Sequence, residues 1–510
     1  MGLFLYGAAV QGIQGFIFET SKLKEIVGAS ELVEQVCTSL FKEFINEDKV
    51  KIILSAAGNI RLYAESRDNL MELVLKFPKA VQESASGITI SQAVFESTGD
   101  EIAKSDFDRL EENLKIQRNI PVRPIGVTGC AIERFCRIGK SAVERDKDGS
   151  LLDMGTKKKV SSVTKIKTEE ENANENKKSA HRRLTEKLLK GERFRVLNGK
   201  AVRFPFDMKY ITSNDCRWLA VIHADGNNLG KHIQVLEGGE PPAKLYKDFS
   251  RKLENATCRA ASNAFDTVIQ NKIISEEIIL NNNFFPLRPI VIGGDDISII
   301  CRADIAIEFT STYLEAFEAE TKEAFDGRKF TACAGISFVK ESYPFHYAIH
   351  LAEELCSAAK SKSKKVNTDE VPASLAFHKV HSSFVDSYAS IKDTVLCVKG
   401  SDDYPDLGFD FGPYSINEDV KDMTAISELL GKIKVITDLE TEKRPSPVAG
   451  LRKWLSALYD NRGAADQLLT RLNQIHGESM GELNLIAPVN DNNKTIVYDL
   501  LSLLSLKGGE

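Results

Sequence analysis

Short apolar runs alternate along the chain with longer stretches in which apolar residues recur every three or four positions, and the whole pattern occurs twice. The run from Leu3 to Val10 is expected to be a buried strand, with Gly12 and Gly15 punctuating the turn behind it. Residues 21–46 then read as helical, carrying Leu23, Ile26 and Val27 and later Leu32, Val33 and Val36. Lys51–Ser55 and Ile60–Ala64 read as a strand hairpin turning at Ala57-Gly58-Asn59; a helix over 67–85 and a strand over 87–95 follow. This β-α-β-β-α-β order is the ferredoxin-like arrangement.

The order returns in the second half. Trp218–His223 is a strand and about 242–272 a helix. Pro289–Ile292 and Ile297–Cys301 are strands around a Gly-Gly-Asp-Asp turn, followed by helix 304–324, strand Phe330–Val339 and helix 344–361. The halves thus read as a degenerate internal repeat. Residues 419–505 read as several helices, the first pair broken at Pro445 and Pro447, with Leu451, Trp454, Leu455 and Leu458 on one apolar face. Between the repeats, Lys140 to Lys190 is of mixed charge, with runs such as Lys157-Lys158-Lys159 and Glu169-Glu170-Glu171 and little apolar periodicity. A solvated linker or insertion is favoured there over a nucleic-acid contact. The expected fold class is α+β: a first repeat over 1–136, the charged stretch over 137–200, a second repeat over 201–385 and a helical domain over 386–510.

Composition narrows the class. A chain of 510 residues exceeds one ordinary core, so three or four domains are expected. The net charge of −6 argues against wholesale polyanion binding but leaves room for a local basic channel. None of the nine cysteines has Cys-x-x-Cys spacing, and several sit in apolar runs, which points to buried, reduced thiols in a cytoplasmic protein. Cys130 and Cys136 have no second Cys/His pair nearby to complete a zinc site. Met1 to Phe18 is apolar but has no basic start and is interrupted by Gln11 and Gln14, and no uncharged, unbroken apolar run of about 20 residues exists, so neither a signal peptide nor a membrane span is expected.

Candidate chemistry concentrates at two strand ends. The strand Ala220–Ala224 runs into Asp225-Gly226-Asn227-Asn228-Leu229-Gly230, a turn able to present one carboxylate and several backbone N–H groups to a phosphate. Gly293-Gly294-Asp295-Asp296 places two adjacent acids on a tight turn between apolar strands. Were the strands neighbours, Asp225, Asp295 and Asp296 would share an edge. Gly-Gly-Asp is also ordinary turn chemistry, but clustered acids repel each other unless a cation is used. Two Mg²⁺ or Mn²⁺ ions need such hard oxygen ligands, and a pair of them can activate a 3′-hydroxyl and stabilise departing pyrophosphate. Lys360, at the end of a helix striped with Ala348, Leu351, Ala352, Leu355 and Ala359, either reaches a triphosphate as a point charge or is a solvated lysine complementing the helix dipole.

These residues resemble the palm domain shared by GGDEF-type cyclases and the large subunit of type III CRISPR effector complexes. The likeness rests on the Asp225 turn, on Gly293-Gly294-Asp295-Asp296-Ile297, on Ala334-Gly335-Ile336-Ser337, and on Ala352-Glu353-Glu354 followed by Ala359-Lys360. Gly-Gly-Asp-Asp favours the CRISPR branch, as do Gly12–Phe18 and Leu23–Ser30, which resemble that branch's first, non-catalytic palm. In that first palm Ala57-Gly58-Asn59-Ile60-Arg61 replaces the acidic turn, so it lacks the carboxylates for a metal pair. The resemblance implies two palms, the first degenerate, and a helical C-terminal domain. It further implies ATP as substrate and 3′–5′ linked oligoadenylate, linear or cyclic, as product. Asp225, Asp295 and Asp296 would hold the metals, with Gly226, Asn227, Asn228, Leu229, Gly293, Gly294 and Lys360 at the nucleotide. The implied partners are subunits of an RNA-guided complex or an effector activated by the signal, with an oligomer also open. None of the eight histidines precedes an aspartate, so the HD nuclease activity of many members is not expected, and their zinc-binding cysteine quartet is missing.

Overall fold

A computed structural model describes residues 2–506 except 121–179, 230–241, 382–386, 401–403 and a few positions elsewhere (19, 21–22, 57, 86–87, 98, 100–101 and 193). Its first domain is built from β1 (Phe4–Gln11), α1 (Ile13–Ile17), α2 (Leu23–Thr38), β2 (Val50–Ala56), β3 (Asn59–Ala64), α3 (Asp68–Ser84), β4 (Thr89–Glu96) and α4 (Lys104–Arg118). The sheet order is β2-β3-β1-β4 with every neighbouring pair antiparallel, which is the ferredoxin-like topology. Period-two alternation splits β1 between two cores. Tyr6 and Ala8 join the main core with α2 and α3, whereas Leu5 packs with Phe107, Leu110 and Leu114 of α4.

After the charged stretch come α5 (Ala180–Leu188) and a small hairpin, β5 (Arg195–Leu197) with β6 (Lys200–Val202). The part of the expected linker up to residue 179, with Cys130 and Cys136, lies outside the described residues. From Ala180 on, the linker expectation is corrected. Leu184, Leu188 and Leu189 form one apolar face and are buried at 9%, 0% and 0% exposure, which anchors α5 beside α2 of the first domain.

The second domain comprises β7 (Trp218–Gly226), α6 (Pro242–Ala264, continued by a π turn at Phe265–Gln270 to Ile274), β8 (Leu287–Gly293), β9 (Asp296–Arg302), α7 (Ala303–Ala324), β10 (Ala332–Lys340), α8 (Phe345–Val366) and β11 (Ser374–Lys379). Its sheet reads β12-β11-β10-β7-β9-β8, where β12 is Tyr414–Ser415. The inner order β10-β7-β9-β8 repeats β4-β1-β3-β2, so the duplication read in the sequence is present. β7 is almost wholly buried along its length because both faces of this sheet are covered. The C-terminal part carries α9 (Ile426–Thr441), α10 (Val448–Asp460), α11 (Arg462–Glu482) and α12 (Val497–Leu504), with Leu451, Trp454 and Leu458 buried as their spacing requires. Among the described residues no helix is long and apolar enough to cross a membrane.

Candidate active site

Register brings the acids together. β7 and β9 pair with Asp225 directly opposite Asp296, and β8 and β9 close with Gly293 opposite Asp296, leaving Gly294 and Asp295 to make the reversal. Gly294 takes a left-handed backbone, φ 61°, that carries no Cβ penalty in glycine. Gly226 serves differently. A methyl there would lie 2.4 Å from Leu229 Cδ1 and 3.0 Å from Asp295 Cβ, so glycine lets Asp295 close on the end of β7. In the first domain the corresponding last pair of β1 and β3 is Ala9 with Asn59, and no carboxylate stands there.

Three carboxylates at one edge oppose each other's ionisation. Burial, then the charge of Asp225, holds Asp295 well above the usual carboxylate range. The same causes push Asp296 up to about 7, with Lys360 pulling it back. The Asp296 side chain keeps 35% of its exposure, yet its Oδ1 is buried without a hydrogen-bond partner. Its neighbour is His223 Nδ1 at 3.4 Å, which lies 3.2 Å from Ser298 Oγ; burial lowers the His223 pKa and leaves the ring neutral at pH 7.

Lys360 arrives by helix register. A methyl on Gly335 would sit 1.9 Å from Ala352 O and 2.4 Å from Cys356 N, so α8 lies directly on β10 only because that residue is glycine. Ser337 Oγ donates to Ala348 O at 2.6 Å and Cys356 Sγ to Cys333 O at 3.1 Å, which fixes the helix along the strand. One turn beyond Cys356 is Lys360, and Cys333 pairs with Asp225. Lys360 Nζ accordingly donates to the Asp225 carboxylate and, at 2.8 Å, to Gly226 O. With 18% of its side chain exposed, and α8 continuing to Val366, Lys360 is not a solvated residue at a helix end.

The turn after Asp225 is anchored more firmly than its glycine and asparagines suggest. Asn227 N donates to Thr331 O at 2.8 Å, so that amide is not free to meet a phosphate, and Asn227 Nδ2 donates to Thr331 Oγ1 at 2.9 Å. Asn228 is left-handed, φ 54°, with Nδ2 donating to Thr368 O at 2.9 Å, and the Leu229 side chain is buried.

The three acids open into a cavity of about 350 Å³ whose far wall is the first domain, through Gln14, Glu34 and Gly58, and whose side is closed by α5 through Lys187. A larger cavity, about 780 Å³, lies beyond Asn227 and Asn228 and includes none of the three carboxylates. Sequence reasoning overlooked His223, Lys187 and the first-domain wall. Only the helical spacing of Leu184 and Leu188 could have signalled Lys187. Among the described residues no group of three or more acids, histidines or cysteines is gathered tightly enough to enclose a metal ion. The donor set nonetheless fits a hard divalent cation in kind. Its oxygens are carboxylate, two acids are held toward protonation by burial and by the charge of Asp225, and Asp296 Oδ1 has no hydrogen-bond partner.

A family profile for the second palm domain of Cas10/Cmr2 matches residues 218–368, the segment holding all three acids and Lys360. This segment is thus similar to the second palm of Cas10/Cmr2 proteins. The fold of the whole chain is similar to that of solved structures. The chain aligns over 99% of its length with 69% of a chain in the Csm1-Csm4 cassette in complex with cA4, at TM-score 0.58 and 14% identity. The cassette in complex with pppApA gives TM-score 0.55 at 13% identity, and that with AMPPNP 0.53 at 14%, with the same coverage. Identities this low describe a shared fold. Among curated proteins no sequence matches the chain.

Proposed function

We propose that this chain is a metal-dependent nucleotidyltransferase that joins ATP into 3′–5′ oligoadenylate signal molecules with release of pyrophosphate, in antiviral defence. The observation that carries the reading is the meeting of Asp225, Asp295 and Asp296 with Lys360 at one sheet edge, facing a cavity large enough for part of a nucleotide. The Csm1-Csm4 cassette of the same fold has been crystallised with cA4, pppApA and AMPPNP, which supports an adenine nucleotide as substrate.

Asp225, Asp295 and Asp296 would hold two Mg²⁺ or Mn²⁺ ions, which when bound supply charge to activate a hydroxyl and to stabilise the leaving pyrophosphate. The chain's own residues do the positioning. Asp225 and Asp296 present carboxylates from paired strands, so their separation is set by the ladder. Lys360 neutralises Asp225 in the nucleotide-free protein and stands within side-chain reach of a triphosphate laid over the turn at Gly226. Gly293 and Gly294 carry no side chain, which leaves the backbone open to close approach by substrate. Catalysis then comes mostly from orientation and charge stabilisation.

A second reading is favoured by one observation. The Lys360–Asp225 ion pair, which occupies one of the three carboxylates, describes a site at rest, as in a large subunit that binds nucleotide within an RNA-guided complex and has no activity alone. The chain's structural relatives were crystallised as a cassette with a second subunit. Mass spectrometry of products from the purified chain with Mn²⁺ and each nucleoside triphosphate separates the two. Adenylate oligomers from ATP support the enzyme. No product from any nucleotide, alone or with added target RNA, moves the weight to the scaffold.

A further inference from the structure

Two side chains outside the carboxylate cluster hold the backbone of its turn. Lys187 Nζ, on α5, donates to Ile292 O at 2.9 Å, the carbonyl just before Gly293, and also to Glu254 Oε1 of α6 at 2.9 Å. One turn along α6, Thr257 Oγ1 donates to Gly294 O at 2.6 Å. These two carbonyls bracket the glycine pair. The turn needs such support for two reasons. Among the described residues β8 is an edge strand, so no described strand fixes its outer side. Gly293 and Gly294 have the widest conformational freedom of any residues, and nothing in their own side chains restricts it.

Asp295 and Asp296 hang directly from this turn, and a displacement of about 1 Å there is enough to cost catalysis on the order of 10²-fold. Lys187 lies in the wall of the cavity they face, with side-chain exposure of 29%. Its helix is fastened to the rest of the molecule by its own buried leucines and by the ion pair of Arg183 with Glu31 of α2 at 2.8 Å. A strut therefore runs from the first domain through α5 to the acidic turn of the second.

We propose that Lys187 is a positioning residue for nucleotidyl transfer, acting through the Ile292 carbonyl to keep Asp295 and Asp296 in register with Asp225, with Thr257 as the second tether. The effect on turnover rests on the function proposed above; the effect on the turn does not.

The test uses the full chain and two readouts. Hydrogen–deuterium exchange is followed in peptides covering residues 288–299, without nucleotide or metal, in wild type, Lys187→Met and Lys187→Arg. Lys187→Met speeds exchange locally at the turn, leaves β7 and β10 unchanged, and Lys187→Arg restores protection. In pyrophosphate release from ATP with Mn²⁺, Lys187→Met lowers kcat by roughly 10- to 100-fold while KM for ATP changes less than about threefold, and Lys187→Arg recovers most of the rate. Thr257→Val gives the same local signature and serves where Lys187→Met is poorly folded. Unchanged exchange at the turn overturns the proposal, as does faster exchange spread over the whole second domain, which marks a general loss of packing. An inert wild type whose turn is nonetheless loosened by Lys187→Met upholds the tether and sinks the enzymatic reading instead.

Discussion

Gly335→Ala is the change that most sharply tests how Lys360 is delivered. The new methyl would lie 1.9 Å from Ala352 O and 2.4 Å from Cys356 N, and both are backbone atoms that cannot rotate away. A carbon normally approaches a carbonyl oxygen no closer than about 3.3 Å, so α8 must back off β10 by roughly 1.4 Å. Forced overpacking of a dense core costs about 1–3 kcal/mol, and a backbone clash belongs at the upper end. For a domain of this size about 3 kcal/mol lowers Tm by roughly 6–12 °C. The same retreat carries Lys360 away from Gly226 O, now 2.8 Å from its Nζ, and nucleotide turnover should fall by about 10²-fold. Thermal unfolding followed by circular dichroism, with pyrophosphate release from ATP, reads both effects. Gly431→Ala on α9 is the control, since nothing lies within 4 Å of its added methyl, and it should stabilise by about 0.5–1 kcal/mol. A Gly335→Ala protein with Tm within about 2 °C of wild type would refute the claim that glycine permits this helix contact.

Two further expectations concern charge. Lys360→Ala removes the counter-charge of Asp225, so Mn²⁺ should bind the nucleotide-free protein more tightly while KM for ATP rises roughly tenfold; calorimetry and initial rates showing both moving the same way would contradict the ion pair's dual role. Asp499 on α12 accepts a hydrogen bond from Tyr414 Oη at 2.6 Å, and burial raises its pKa from 3.8 to about 7 against the pull of that bond. The native state therefore holds a proton that the unfolded chain has lost between about pH 4 and 7, and stability falls as pH rises through that window. Asp499→Asn should gain Tm relative to wild type from about pH 4.5 to pH 8, and a constant difference would show that Asp499 does not titrate on unfolding.

Much of this architecture was open to reading because the periodicities are unmixed. β1, β7 and β9 are apolar runs ended by glycine or charge, and α3 and α7 show clear helical stripes, so the repeated topology followed from element order alone. The meeting of Asp225 with the Asp295-Asp296 turn is legible because Asp225 closes one apolar strand, the turn joins two others, and the ferredoxin-like order makes β7 and β9 neighbours. Gly335 was visible as a glycine inside a strand, and its reason appears only with α8 laid across it.

What escaped did so for identifiable reasons. α4 shows only Phe107, Leu110 and Leu114 at positions i, i+3 and i+7 in an otherwise charged stretch, and it falls after the ferredoxin-like set. α5 was hidden by composition: Arg182, Arg183, Glu186 and Lys187 continue the charge of the preceding stretch, and three leucines carry its burial. The Asn227 amide was counted toward phosphate because a sequence shows a Gly/Asn-rich turn and not the Thr331 carbonyl that occupies it. The pairing of Lys360 with Asp225 depends on helix register across a sheet, and no local spacing encodes that.

Asp295 and Asp296 are expected to work in nucleotide chemistry and not in folding. Pyrophosphate release from ATP with Mn²⁺ by wild type and by the Asp295→Ala/Asp296→Ala double variant, each with its Tm, separates the two roles. The acids sit on a turn and repel one another, so the double variant should keep or slightly raise Tm, while turnover disappears. A folded double variant that releases pyrophosphate at the wild-type rate would show that neither acid is needed for turnover.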